Sequence, residues 1–348
     1  MQLSPTLATL RIALFLFAVA LFYYYHTSWN YSSSITPKVF ENKKVILGVL
    51  QNVEHHGNLG NIVFELISFV GVARTIGRVP VLSNKTHQLI WREVFIQLPY
   101  LLENISNSEQ WSSYYENIDF KHKCCSFADP LPVLANPRVE NMRAIQVLFK
   151  FAQSYKYFAG VPREEILRRF TVDNNTHRMA KEQLVNVTIL KEADHVLCVH
   201  TRRTDFVSSP LHEHTTTNFT VPAVEHLLRI GRNENSWKRP LVALLGDDEQ
   251  WMKTLVPLLS GVNAVVVGEN VDHVPLTEWD FARLYCNTML LSAPASTFGW
   301  FMAYLSNATV YHNTVYEKKG KYTLDLNSDD FFPAHWKTIT VANGSVVV

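Results

Sequence analysis

The chain has 348 residues, room for about two ordinary domains behind a leader. Hydrophobic residues make up 47%, aromatics 12% and charged residues 18%, which excludes a disordered or collagen-like chain. Basic and acidic side chains number 32 and 31, a net charge of +1 that is too even for a broad nucleic-acid surface; four cysteines without a C-x-x-C spacing exclude a disulfide scaffold.

Residues 1–6 read as a short cytosolic tail. Residues 7–25 form a 19-residue run from Leu7 to Tyr25 with one charge, Arg11. As a helix this run is about 28 Å long, close to the apolar thickness of a bilayer. Tyr23, Tyr24 and Tyr25 suit an interfacial aromatic belt. A cleaved signal peptide is the rival reading, but its apolar region is normally shorter and followed by small residues. Here bulky Tyr-Tyr-Tyr-His follows, so the segment is read as an uncleaved transmembrane signal anchor. Arg11 and the α-amine argue for a cytosolic N-terminus, which makes the remainder lumenal. Residues 26–41, with Ser32, Ser33, Ser34 and Pro37, read as a stem.

Eight N-x-S/T acceptors agree with a secretory-pathway chain: Asn30, Asn84, Asn104, Asn174, Asn186, Asn218, Asn307 and Asn343. An oxidising lumen permits disulfides among Cys124, Cys125, Cys198 and Cys286. The adjacent pair is expected not to bridge itself, and Cys198, inside an apolar run, reads as a buried core residue.

From Lys44 the pattern becomes β/α. Val45 to Leu50 predicts a strand, Ile62 to Ile76 a helix and Val79 to Leu82 a second strand. Residues 83–190 give only helical patches, near His87–Gln97 and Arg163–Arg169. From residue 195 the alternation is clear. Strands are predicted at His195–His200, Leu241–Leu245, Asn263–Val267, Met289–Ser292 and, last, Thr309–His312. Helices are predicted at Val221–Gly231 (Pro222 in the first turn), Asp248–Leu258, Thr277–Asn287 and Ser296–Leu305. This alternation argues for parallel sheets covered on both faces, divided near residues 186–194 into a 42–190 lobe and a 191–348 lobe.

No Walker loop, G-x-G-x-x-G, H-E-x-x-H, G-x-S-x-G or D-x-D occurs. His212 and His214 flank Glu213, but without a companion cluster they read as a surface loop and not a metal site. Four local signals remain. His200-Thr201-Arg202-Arg203-Thr204-Asp205-Phe206 follows a buried strand. Ligands gather beyond such strand ends, and a guanidinium fork suits phosphate; a structural ion pair at the strand end is the rival reading. One arginine can face a ligand while the other pairs internally. Ser296-Thr297-Phe298 starts an apolar helix, either an ordinary capped core helix or one whose free N–H groups bind phosphate. Gly246-Asp247-Asp248 offers a carboxylate that either reads guanine or caps a helix. Gly57-Asn58-Leu59-Gly60-Asn61 joins the first strand to the first helix, as a tight turn or as a close approach to ligand.

In this order the four motifs resemble those of the α-1,2-fucosyltransferases (glycosyltransferase family 11-like). Asp280-Phe281-Ala282 with Cys286-Asn287 is also similar to the stretch before that family's last block. The likeness covers residues 44–72 and about 195–312. Thr204 stands where the family usually has Gly, Phe206 where it has Tyr, and Asn58 where the loop has a second Gly. The Arg-Arg-Thr-Asp run is similar to that of α-1,6-fucosyltransferases.

The resemblance implies an α/β fold of two Rossmann-like lobes facing a cleft (GT-B-like) behind one transmembrane helix. The N-terminal lobe is then the acceptor side and the C-terminal lobe the donor side. It implies a type II Golgi membrane enzyme that moves fucose from GDP-fucose, with inversion, to a galactose-terminated glycan, with no metal and no nucleic-acid partner. It makes Arg202 the β-phosphate contact, braced by Arg203 and Asp205, with His200 beside the donor. Asp248 reads guanine, while Ser296, Thr297 and Phe298 hold phosphate. Gly57, Gly60 and Asn61 form the glycine loop. The general base is open between His55, His56 and Glu213. Transfer in another linkage, core α-1,6 or directly to protein, and an inactive lumenal homologue that binds glycan or nucleotide remain alternatives.

Overall fold

Val45–Leu50 forms the first strand, β1, and the sequence VILGVL is buried along almost all of its length. A strand buried on both faces belongs in the middle of a parallel sheet. That sheet adds β2 (Val79–Leu82), β3 (Ser106–Asn107), β4 (Glu116–Ile118) and β5 (Ala144–Phe149), all parallel, in the order β3-β2-β1-β5-β4. The structure, a computed structural model, describes residues 43–90, 92, 97–107, 116–121, 123–234, 236–314 and 326–347. The tail, the 7–25 anchor, the 26–41 stem and Asn30 lie outside the described residues. Among the described residues no helix is long and apolar enough to cross a membrane.

A second sheet has the order β12-β11-β10-β9-β6-β7-β8. Its strands are β6 (His195–Thr201), β7 (Pro240–Gly246), β8 (Asn263–Val266), β9 (Thr288–Leu291), β10 (Thr309–Asn313), β11 (Lys337–Ala342) and β12 (Ser345–Val347). Among the described residues of this sheet only the β11–β12 pairing is antiparallel. The chain leaves β6 toward β7 and β8 on one side and returns to β9, β10 and β11 on the other. The switch point therefore lies between β6 and β9, where ligands collect in open α/β sheets. In register, Thr201 pairs with Gly246, and His200 with Leu291, so Arg202 emerges at the carboxyl edge of the sheet.

The helices used below are α1 (Leu59–Thr75), α2 (Thr204–Ser208), α3 (Thr217–Glu234), α4 (Glu249–Leu255), α5 (Pro275–Tyr285) and α6 (Thr297–Leu305). Helices α1 and α6 meet through Phe64, whose ring centroid is 4.7 Å from that of Trp300 and 5.0 Å from that of Phe301. Phe158 and Phe331 join the same buried cluster, so one apolar core is shared by elements that follow both sheets. The described residues from Lys44 onward belong to one compact unit.

Several elements depart from expectation. The 83–190 segment supplies β5, which pairs with β1 along all six of its residues. Helix α3 begins at Thr217 because Thr216 Oγ1 accepts from Phe219 N at 3.3 Å, so Pro222 falls inside the helix and not in its first turn. Thr309–Asn313 is not the last strand, since β11 and β12 follow. Cys198 is buried as expected but is bonded to Cys286, 88 positions away, which ties β6 to the end of α5. Cys124 and Cys125 are also joined, against the expectation that neighbours stay apart.

Candidate active site

The carboxyl ends of both sheets open onto one cavity of about 1040 Å³. Asn58, Leu59, Gly60 and Asn61 line it from the start of α1, and Ala295, Ser296, Thr297 and Phe298 from the start of α6. Ser296 caps α6, its Oγ accepting from Gly299 N at 3.3 Å; Asn58 caps α1 with no side-chain bond. Two helix starts thus turn their partial positive charge toward one space. They are also pinned to each other. Asn61 Oδ1 accepts from Thr297 Oγ1 at 2.7 Å and from Gln153 Nε2 at 2.9 Å. A Cβ on Gly60 would fall 2.5 Å from Phe298 N, so glycine there permits contact between the two helix starts. Gly57 does not line the cavity; its missing Cβ leaves room for the Asn52 side chain.

Arg202 lines the cavity with its side chain 22% exposed. Nε lies 2.9 Å from Asp205 Oδ1 and 3.2 Å from Asp247 Oδ2, and an NH2 proton goes to Asp205 Oδ2 at 3.0 Å. The guanidinium sits 5.5 Å from the Phe206 ring centre, and Phe206 in turn stacks on His212 at 4.4 Å. His212 stands in the loop between α2 and α3, as expected, and lines the cavity from there.

Arg203 turns the other way. It donates to Thr215 O at 2.7 Å and to Asp248 Oδ2 at 3.2 Å, and it covers the Trp251 ring at 4.5 Å. Its backbone N–H donates to Asp247 Oδ1 at 2.8 Å, and the Thr204 hydroxyl donates to Asp247 Oδ2. Asp247 is thus the hub that sets both arginines, and Thr204 has a definite bracing partner. Asp248 does not line the cavity; Oδ1 caps α4 through Trp251 N at 3.0 Å while Oδ2 holds Arg203. Of the sequence-predicted residues, His200, Arg202, Asp205, Gly60, Asn61, Ser296, Thr297 and Phe298 come together around the cavity. Gly57, Arg203 and Asp248 do not line it, and neither do His55, His56 and Glu213.

His200 is 1% exposed and its Nδ1 has no hydrogen-bond partner among the described residues. Burial, with help from the Arg202 charge, lowers its pKa to about 3, so the imidazole is neutral at physiological pH. His273, Glu278, Gln153, Lys123 and Lys150, which no sequence motif marks, also line the cavity, as does Asp247, whose motif is marked but whose role is expected of Asp248. Asp247 had a signal, since it is the first residue past the β7 glycine, whereas Asp248 stands three residues before the amide it caps. His273 and Glu278 are brought in only by the turn from β8 to α5. Burial raises the Glu278 pKa, and its hydrogen bond to Glu278 raises that of His273.

The other glycosylation candidates differ in access. Asn104, Asn174, Asn186, Asn218, Asn307 and Asn343 are exposed, while Asn84 is half-buried.

The family model for Glycosyl transferase family 11 matches residues 11–339. Two Caenorhabditis elegans proteins, each named galactoside 2-alpha-L-fucosyltransferase, are 26% identical to the chain. One matches over 326 residues (89% of this chain, 84% of the relative), the other over 329 (83% and 76%). Two solved structures are similar. An Arabidopsis thaliana FUT1 mutant in complex with GDP is 13% identical with a TM-score of 0.46, over 78% of this chain and 70% of that one. The fucosyltransferase NodZ from Bradyrhizobium is 12% identical with a TM-score of 0.44, over 76% and 94%. The chain belongs to glycosyl transferase family 11 and is an enzyme of the glycosyltransferase class.

Proposed function

We propose that this family 11 enzyme transfers L-fucose from GDP-fucose, with inversion, to the 2-hydroxyl of a terminal galactose on a glycan. The observation that carries the reading is the place of Arg202. Its guanidinium lies past the end of a buried strand, at the switch point of its sheet, beside two helix starts in one cavity. The names of the Caenorhabditis elegans relatives support the sugar and the linkage.

In this reading the acceptor hydroxyl attacks the fucose anomeric carbon while GDP leaves from the opposite face. Negative charge grows on the β-phosphate, and Arg202 with the Thr297 and Phe298 amides stabilises it. Asp205 is half exposed and yields its hold on Arg202 to the diphosphate; Asp247 is one-fifth exposed and keeps the guanidinium aimed. Arginine takes the part a cation plays elsewhere, so no metal is required. The two sheets act as Rossmann-like, GT-B-like lobes, residues 42–190 on the acceptor side and 191–348 on the donor side. The enzyme is a single-pass type II Golgi membrane protein with its catalytic part lumenal.

The test is to incubate the purified full chain with labelled GDP-fucose and a panel of galactosides, with and without chelator, and to determine the product linkage. Chelator-resistant transfer to the galactose 2-hydroxyl supports the proposal. Transfer in another linkage, to protein, or not at all contradicts it, as does activity that chelator abolishes and a divalent ion restores.

A further inference from the structure

Glu278 differs from the other carboxyl groups of the cavity. It stands in the first turn of α5 with its side chain 9% exposed. It lines the cavity, yet Oε2 has no hydrogen-bond partner among the described residues. A buried carboxyl oxygen without a donor is expensive, and a site that tolerates one is built for a donor that arrives with a ligand.

The other end of the group is fixed from behind. Oε1 lies 3.3 Å from His273 Nε2, while His273 Nδ1 donates to Val271 O at 2.8 Å. The imidazole is seated against Gly268, where a Cβ would fall 2.4 Å from the ring. The carboxyl group is therefore held by one oxygen and presents the other. The Asp248 carboxylate, the residue type expected to read a base, is engaged by the α4 cap and by Arg203.

Among nucleobases, guanine carries two adjacent donors on one edge, the ring N1–H and the 2-amino group. Adenine puts an acceptor at N1, and uracil flanks its single N–H with two carbonyls. A carboxylate fits the first pattern and is repelled by the acceptors of the other two. Resting on the proposed GDP-linked donor, we infer that Glu278, positioned by His273, is the residue that selects guanine. Oε2 accepts one N–H of that edge, and Oε1 accepts the other beside His273. Arg202 and the start of α6 hold the diphosphate elsewhere in the same cavity.

The test is calorimetric titration of the full chain with GDP, inosine diphosphate (no 2-amino group) and 1-methyl-GDP (no N1–H), for the wild type, Glu278→Gln and Glu278→Ala. A hydrogen bond to a charged group is worth about tenfold or more in affinity, so the wild type should prefer GDP by about that factor over each analogue. The preference should fall toward one in both variants, with melting temperatures showing that they are folded. Equal wild-type affinities for the three ligands, or an unchanged preference in both variants, overturn the inference. The wild-type arm stands even where a variant does not fold. A wild type that binds none of the three removes the GDP-linked donor itself, a different failure from binding without discrimination.

Discussion

Replacing Glu65 by Gln should change how stability depends on pH by a predictable amount. Glu65 is buried in α1 under the loop that leaves β1. Its carboxyl accepts from Asn52 N at 2.8 Å, Asn52 Nδ2 at 2.5 Å and Phe151 N at 2.8 Å, so it ties the end of β1 to the cavity wall after β5. Burial pushes its pKa up; the donors from Phe151 and Asn52 pull it partly back, leaving it at about 7 against an ordinary 4.5. The folded state therefore holds the proton more tightly than the unfolded state. Stability from this group is fully present below pH 4.5 and is lost as pH rises through 7. A shift of about 2.5 units corresponds to about 3 kcal/mol between pH 4 and pH 8, most of it between pH 5 and 7. Gln cannot ionise. Urea denaturation of both proteins across this range should show the stability of Glu65→Gln relative to wild type rising by about 3 kcal/mol. A difference that stays flat with pH refutes the reasoning, because every other titrating group is common to both chains.

Gly60→Ala should drive a methyl against Phe298 N and Thr297, costing about 1–3 kcal/mol of stability and weakening nucleotide binding; thermal melts and GDP titration check both. Cys286→Ser should open the loop closed onto Cys198, a loss of up to about 4–5 kcal/mol on chain-entropy grounds, read by urea denaturation under non-reducing conditions. Asp248→Ala should remove the α4 cap at a cost of about 1 kcal/mol while GDP affinity changes less than threefold; loss of the preference for GDP over inosine diphosphate would return base reading to Asp248.

The sequence announces those parts of the fold and site that are local. Strand β6 holds the apolar run Val196–Val199, and α6 carries its own cap in Ser296, so Arg202 and the Ser296–Phe298 start are readable directly. Strand β5 is hard to read locally although Ile145, Val147 and Phe149 alternate inward, because exposed Leu148 and the polar Gln146 weaken the apolar signal. The choice between Asp247 and Asp248 depends on which way each side chain leaves a strand end, and only a helix cap three residues on hints at it. Glu278 and His273 reach the cavity through tertiary packing, and Cys198 meets Cys286 across 88 positions, so no local pattern marks either. The loop glycine at Gly60 suggests conformational freedom, but what it admits is a neighbouring helix start, a contact between two sequence regions 236 positions apart at Asn61 and Thr297.

The most direct measurement is GDP affinity, together with turnover of GDP-fucose, for wild type, Arg202→Lys and Arg202→Ala. A guanidinium that neutralises the leaving diphosphate should make the alanine variant bind GDP about 10- to 100-fold more weakly and lose most of its turnover, with lysine recovering part of the binding. Folded Arg202→Ala protein that binds GDP and turns over like the wild type would contradict the account at its centre.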